Sequence, residues 1–113
     1  MITIYHNTRC SKSRAGLAYL DEKGVDYKVR EYLKEPFSFD ELKRLIRKTG
    51  LKASDVIRKE EAFYKEQIKG KTLSEDELIE AMVKEPRLIQ RPLVEKEEKA
   101  VLARPAENID LLF

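Results

Sequence analysis

The order of elements written into the chain predicts an α/β fold: a small mixed β-sheet flanked by helices, with a helical insertion between a βαβ part and a ββα part. Three observations carry this. A short β-branched and aromatic run, Ile2 to Tyr5, hands over within a few residues to a helical pattern and then to a second extended run. Two serine-led helix starts follow in the middle of the chain, and paired strands return near its end. At 113 residues and 42% hydrophobic, the chain is expected to form one domain over 1–113 with a buried core.

Each element has a local cause. Ile2 to Tyr5 suits a buried strand and runs into the turn His6-Asn7-Thr8. Ala15, Leu17, Ala18 and Leu20 mark an amphipathic helix from about Cys10 to Lys23, which Gly24 ends in the usual position after a last turn. Tyr27 to Leu33 alternates enough for a second strand, ended by Pro36. Ser38-Phe39-Asp40-Glu41 and Ser74-Glu75-Asp76-Glu77 fit the capping box, where a serine oxygen and a glutamate carboxylate satisfy each other's free N–H groups. Leu42, Leu45 and Ile46 follow the first box, and Leu78, Ile79, Met82 and Val83 the second, each set forming one apolar face. Between them, Ala53 to about Gln67 reads as one or two short helices with Val56, Ile57, Phe63 and Tyr64 turned inward, before Gly70 breaks the run. Leu88-Ile89 reads as extended and leads into Arg91-Pro92. Leu93-Val94 and Ala100-Val101-Leu102 then resemble a hairpin joined by the charged Glu95 to Lys99, and Arg104-Pro105 opens a last helical turn. A βαβ, helical, ββα order is that of a thioredoxin-like fold with a helical insert.

Composition excludes several functions. Charged residues make up 39% of the chain, but 23 Lys and Arg face 21 Asp and Glu for a formal +2, with both signs interspersed. That is no basic footprint, so nucleic acid is not an expected partner. No basic leader precedes a long apolar stretch and no window approaches a membrane span, so no membrane association is expected and the cytoplasm is the default location. A single cysteine and a single histidine cannot build an intrachain disulfide, an iron–sulfur site or a classical zinc centre; no metal is expected. Any redox work needs a thiol from outside the chain.

Cys10 sits where a strand passes into a helix, where free N–H groups and the helix dipole favour a thiolate over a thiol. Arg9, Lys12 and Arg14 add positive charge nearby, and His6 is close enough in sequence to sit beside the sulfur. Ser13 occupies the place of the second cysteine in a CxxC motif, which removes the internal resolving step of a disulfide oxidoreductase. A phosphatase-type loop would place an arginine at the position of Gly16 and is absent.

His6-Asn7-Thr8-Arg9-Cys10-Ser11-Lys12-Ser13-Arg14 resembles the HNxxCxxSR signature of the glutaredoxin-coupled arsenate reductase family. Ile57-Arg58-Lys59 is similar to that family's LRK segment, Leu88 to Val94 to its LINRPIV segment, and Leu102-Ala103-Arg104-Pro105 to its CRP segment. The matches run in order over essentially the whole chain. The resemblance implies a monothiol enzyme that binds arsenate or a similar oxyanion and reduces arsenate to arsenite, with glutathione as co-substrate, glutaredoxin as partner and no bound cofactor. It implies Cys10 as nucleophile, His6 as a group tuning its pKa, and Ser13 as a serine hydrogen-bonded near the thiolate. Arg58, Arg91 and Arg104 match the arginines that bind the oxyanion, and Pro92 matches a cis proline that shapes the loop facing the cysteine. A planar, permanently charged guanidinium suits a tetrahedral oxyanion. Ser11-Lys12 stands where the best-known reductases carry Gly-Thr, a difference that bears on loop stiffness and anion selectivity.

Two other readings share the fold. One is a thiol enzyme acting on another substrate, such as a protein–glutathione mixed disulfide. The other is a module like the Spx-type regulators that contact RNA polymerase; those commonly carry a CxxC switch, which Ser13 removes here.

Overall fold

The computed structural model describes residues 1–113. They pack as two compact units, one made of residues 1–35 with 91–113 and the other of residues 36–90.

The first unit is built on a four-stranded sheet. Strand β1 is Ile2–His6 and helix α1 is Ser11–Lys23; strands β2, β3 and β4 are Tyr27–Glu31, Leu93–Lys96 and Lys99–Leu102. A 3₁₀ helix, Ala106–Leu112, follows. The sheet order is β2-β1-β3-β4, with β1 parallel to β2 and antiparallel to β3, and β3 antiparallel to β4. Ile4, at the centre of β1, lies opposite Val29 on one side and Val94 on the other. Alternation along β1 buries Ile2, Ile4 and His6, so the period that builds the core also carries the histidine inward. Ile2, Ile4, Leu20, Val94, Ala103, Ile109 and Leu112 form this unit's core, with Leu17 and Val25 packed against it. Burying one such large aliphatic side chain contributes about 1.5–3 kcal/mol.

Helix α1 begins one residue later than its pattern predicts, and Gly24 ends it in the left-handed region at φ 68°. Its inward face differs from the predicted one. Ala15 and Ala18 are exposed, whereas Ser13, Gly16 and Leu20 are buried. Small residues let the helix lie close to the sheet, and an apolar pattern does not register them. Strand β2 stops at Glu31, short of the predicted Leu33, because the N–H groups of Lys34 and Glu35 turn back onto the Glu31 carbonyl. As an edge strand it leaves Val29 exposed. The hairpin forms with β3 longer than predicted, and its turn narrows to Glu97-Glu98.

The second unit is helical: α2 is Phe39–Thr49, α3 Ala53–Val56, α4 Ala62–Gln67 and α5 Glu75–Lys84. Both capping boxes form. The Glu41 N–H donates to Ser38 Oγ at 3.2 Å and the Ser38 N–H to Glu41 Oε1 at 3.0 Å; the Ser74–Glu77 pair repeats this at 3.1 and 2.9 Å. Glu75, in the first turn of α5, also accepts the Ala53 N–H through both carboxylate oxygens, at 3.0 and 2.6 Å, and so caps α3 as well. Helix α5 packs against α2 and α3, with Leu42, Leu45, Ile46, Val56, Ile79 and Met82 buried. Phe63 and Tyr64 are half-buried. Leu88 belongs to a 3₁₀ turn, Pro86–Leu88, rather than to a strand, since Pro86 starts a turn there; Ile89 makes a single antiparallel bridge to Ile57.

Candidate active site

The β1–α1 connection is tied by its own backbone. The Cys10 N–H donates to the Asn7 carbonyl and the Arg14 N–H to the Cys10 carbonyl, both at 3.0 Å. Asn7 Oδ1 accepts the Arg9 N–H at 3.0 Å, an Asx turn. Arg14 closes the loop from the helix side, donating Nη1 to the Thr8 carbonyl at 2.9 Å. Cys10 therefore sits half-buried at the N-cap of α1 in extended backbone, φ −99° and ψ 122°.

Burial alone pushes the Cys10 thiol up, but the backbone N–H groups of Ser13 and Lys12, together with the Arg91 guanidinium, outweigh it and lower its pKa. The sulfur makes no close capping hydrogen bond; the N–H groups act on it as the positive end of a helix.

Ser13 and His6 form a buried pair, with Ser13 Oγ 2.7 Å from His6 Nδ1. Ser13 Oγ also accepts the Asn7 N–H at 3.0 Å. Burial lowers the His6 pKa, opposed by Glu31, its partner across β1–β2, and assisted by Arg14. Because Ser13 Oγ accepts the Asn7 N–H, its hydroxyl hydrogen is free to point at His6 Nδ1, a hydrogen bond that a neutral imidazole can accept. His6 thus braces Ser13 through the side chain, while the Ser13 main chain faces the sulfur. Arg14, read in the sequence as a positive charge for Cys10, acts instead on the Thr8 carbonyl and on His6.

Arg91 enters beside this loop. Its guanidinium attracts and hydrogen-bonds the Cys10 sulfur, and its Nε is buried without a partner. The Arg91–Pro92 peptide is cis, and so is Arg104–Pro105. The Pro92 carbonyl accepts the Ala103 N–H at 2.9 Å, so Arg91 and Arg104 each stand next to a residue of one hydrogen-bonded contact. Arg104 is half-buried, and its carbonyl accepts Asn108 Nδ2 at 3.3 Å. Arg58 lies in the helical unit, where Glu60 at 3.3 Å, Glu61 at 3.1 Å and the Arg87 carbonyl at 3.2 Å engage its guanidinium. The adjacent Glu60-Glu61 was a legible sign that Arg58 would be ion-paired.

Gly16 is a further residue beside the site that the sequence motifs do not mark. A Cβ placed there would lie 2.8 Å from Pro92 Cγ, so α1 and the Arg91–Pro92 loop meet where there is no side chain. A glycine inside a helical pattern was the available signal. No group of three or more His, Cys, Asp and Glu side chains is gathered as a metal site, and no helix is long and apolar enough to cross a membrane.

Comparison with known proteins matches this geometry to a family. The ArsC family pattern covers residues 5–112. An arsenate reductase of Neisseria meningitidis is 41% identical over 99% of this chain and 97% of its own length. The Escherichia coli protein YfgD, uncharacterised, is 42% identical over 96% of this chain and 92% of its own. An arsenate reductase of Vibrio cholerae superposes with a TM-score of 0.94 at 40% identity, over 99% of this chain and 97% of that one. The sheet with its flanking helices is therefore the thioredoxin-like arrangement of these proteins, and the chain belongs to the ArsC family.

Proposed function

We propose that this protein is an arsenate reductase that uses Cys10 as its single nucleophile, with glutathione and glutaredoxin as the external thiols. The observation that carries the reading is the pairing of a sulfur held toward its thiolate with an arginine whose buried Nε has no partner. A buried guanidinium N–H left unsatisfied is costly, and a tetrahedral oxyanion seated against the sulfur would satisfy it. Arg104, standing across the Ala103–Pro92 hydrogen bond from Arg91, adds a second permanent charge.

Cys10 attacks the arsenic of arsenate, a sulfur–arsenic bond forms, and a protonated arsenate oxygen leaves as water. The thiolate of glutathione adds to this adduct. As the Cys10–arsenic bond breaks and a Cys10–glutathione disulfide forms, the electron pair stays on arsenic, which departs as arsenite. The two thiols are oxidised and As(V) is reduced to As(III). Glutaredoxin then takes the glutathione by thiolate exchange and returns Cys10 to its starting form.

The test is arsenate-dependent NADPH consumption in a system coupled through glutathione, glutaredoxin and glutathione reductase. Turnover with the wild-type chain and none with Cys10→Ser is the expected result. Turnover no faster than buffer for the wild type, or retained by Cys10→Ser, refutes the proposal.

A further inference from the structure

We propose that Gly16 is a positioning residue for the Cys10 thiolate: lacking a side chain, it lets α1 close on Pro92 and so sets the sulfur against the Arg91 guanidinium. This rests on the reading of Cys10 as a thiolate paired with Arg91.

Gly16 lies in the middle of α1, is buried, and is not among the glycines of positive φ. Its backbone conformation is open to any residue, and glycine is a poor helix former, so local structure gives no reason for it. Packing does. A Cβ at this position would stand 2.8 Å from Pro92 Cγ, 3.7 Å from Pro92 Cβ and 3.5 Å from Ile4 Cδ1. The first distance is well inside contact, and the atom it meets belongs to a closed ring that cannot swing aside.

Pro92 cannot retreat either. Its carbonyl holds the Ala103 N–H at 2.9 Å, and the next residue, Leu93, is paired with Tyr5 on β1 and Leu102 on β4. Ile4 is fully buried in the central strand. A methyl at position 16 therefore moves the helix, not the loop. Cys10 caps that helix six residues earlier, about 9 Å along its axis. The residue joined to Pro92 is Arg91. One contact thus links the element that carries the sulfur to the element that carries its counter-charge.

The experiment follows Cys10 alkylation by iodoacetamide against pH, with and without sulfate, in the wild type, Gly16→Ala and Ile109→Val. The last is a core substitution of the same unit, at a residue that is not in contact with the position 16 Cβ, and controls for lost stability. In Gly16→Ala the profile should move toward higher pH, the rate at pH 7 should fall at least about threefold, and protection by sulfate should weaken. Ile109→Val should keep the wild-type profile. Should Gly16→Ala not fold, Gly16→Ala with Pro92→Ala, which removes the ring atom the new Cβ meets, is compared with Pro92→Ala alone: matching alkylation profiles are expected, and a further upward shift in the double variant overturns the role of the Gly16–Pro92 contact. A wild-type profile already lowered and left unchanged by the alanine overturns the role of Gly16 alone. A wild-type profile in the ordinary thiol range overturns the thiolate reading, and the role of Gly16 with it.

Discussion

Replacing Ser13 with alanine removes one oxygen from a side chain with no exposed surface. That oxygen accepts the Asn7 N–H at 3.0 Å and pairs with His6 Nδ1 at 2.7 Å, and His6 is itself only 5% exposed. Two partners are left without a bond, one of them on a buried side chain. An unsatisfied buried polar group costs about 1–3 kcal/mol, and the half-buried Asn7 N–H belongs at the low end of that range. Alanine returns about 0.5 kcal/mol as the better helix former. The net loss is about 2–3 kcal/mol, which for a chain of this size lowers the melting temperature by roughly 8–13 °C. Urea unfolding at pH 7, with the slope against denaturant unchanged, measures it. A double cycle with His6→Gln should show that the two substitutions share much of their cost. A Ser13→Ala loss below about 0.5 kcal/mol refutes the account of a buried, mutually satisfied pair.

Other expected outcomes follow from the same geometry. Burial holds His6 below its ordinary pKa, so the unfolded chain takes up a proton near pH ~6.5 while the folded one does so only at lower pH. Stability is therefore full above that pH and is lost as pH falls through the lowered value. The difference in urea midpoint between wild type and His6→Gln should shrink from pH 7 to 5, and a constant difference contradicts this. Arg91→Lys keeps the charge but not the planar fork, so sulfate affinity, read by protection of Cys10, should fall roughly 10–100-fold; an unchanged affinity removes Arg91 from the anion site. Glu75→Ala strips the Ala53 N–H of both its acceptors and should cost about 1 kcal/mol in unfolding, as loss of a helix cap does. A variant as stable as the wild type would show that the carboxylate does not cap α3.

How far the sequence could be read depended on the range of the forces involved. Ser38 with Glu41 and Ser74 with Glu77 announce helix starts because the hydrogen bonds concerned span three residues, and both form as written. Gly24 likewise marks the end of α1, where the chain must enter the left-handed region. The face that α1 turns inward differs from its apolar pattern because Ser13 and Gly16 are placed by what they approach across the fold, which hydrophobicity does not encode. The end of β2 departs from the pattern for a related reason, since an edge strand is held by one neighbour and yields to the turn at Glu31. At the site, the strand-to-helix position of Cys10 was legible from a few residues. The partnership of Arg91 with the sulfur was reached through resemblance alone, because Cys10 and Arg91 meet only once β3 has paired with β1. The bracing of Ser13 by His6 depends on alternation along β1 and on helix phase together, and neither pattern predicts it separately.

The central claim is that the fold biases Cys10 toward its thiolate beside an arginine with an open N–H. It is tested most directly by the pH dependence of Cys10 alkylation in the wild-type protein, with and without arsenate. A midpoint lowered from that of an ordinary thiol, with protection of the sulfur by the anion, is the predicted result. An ordinary midpoint that arsenate leaves unmoved contradicts it.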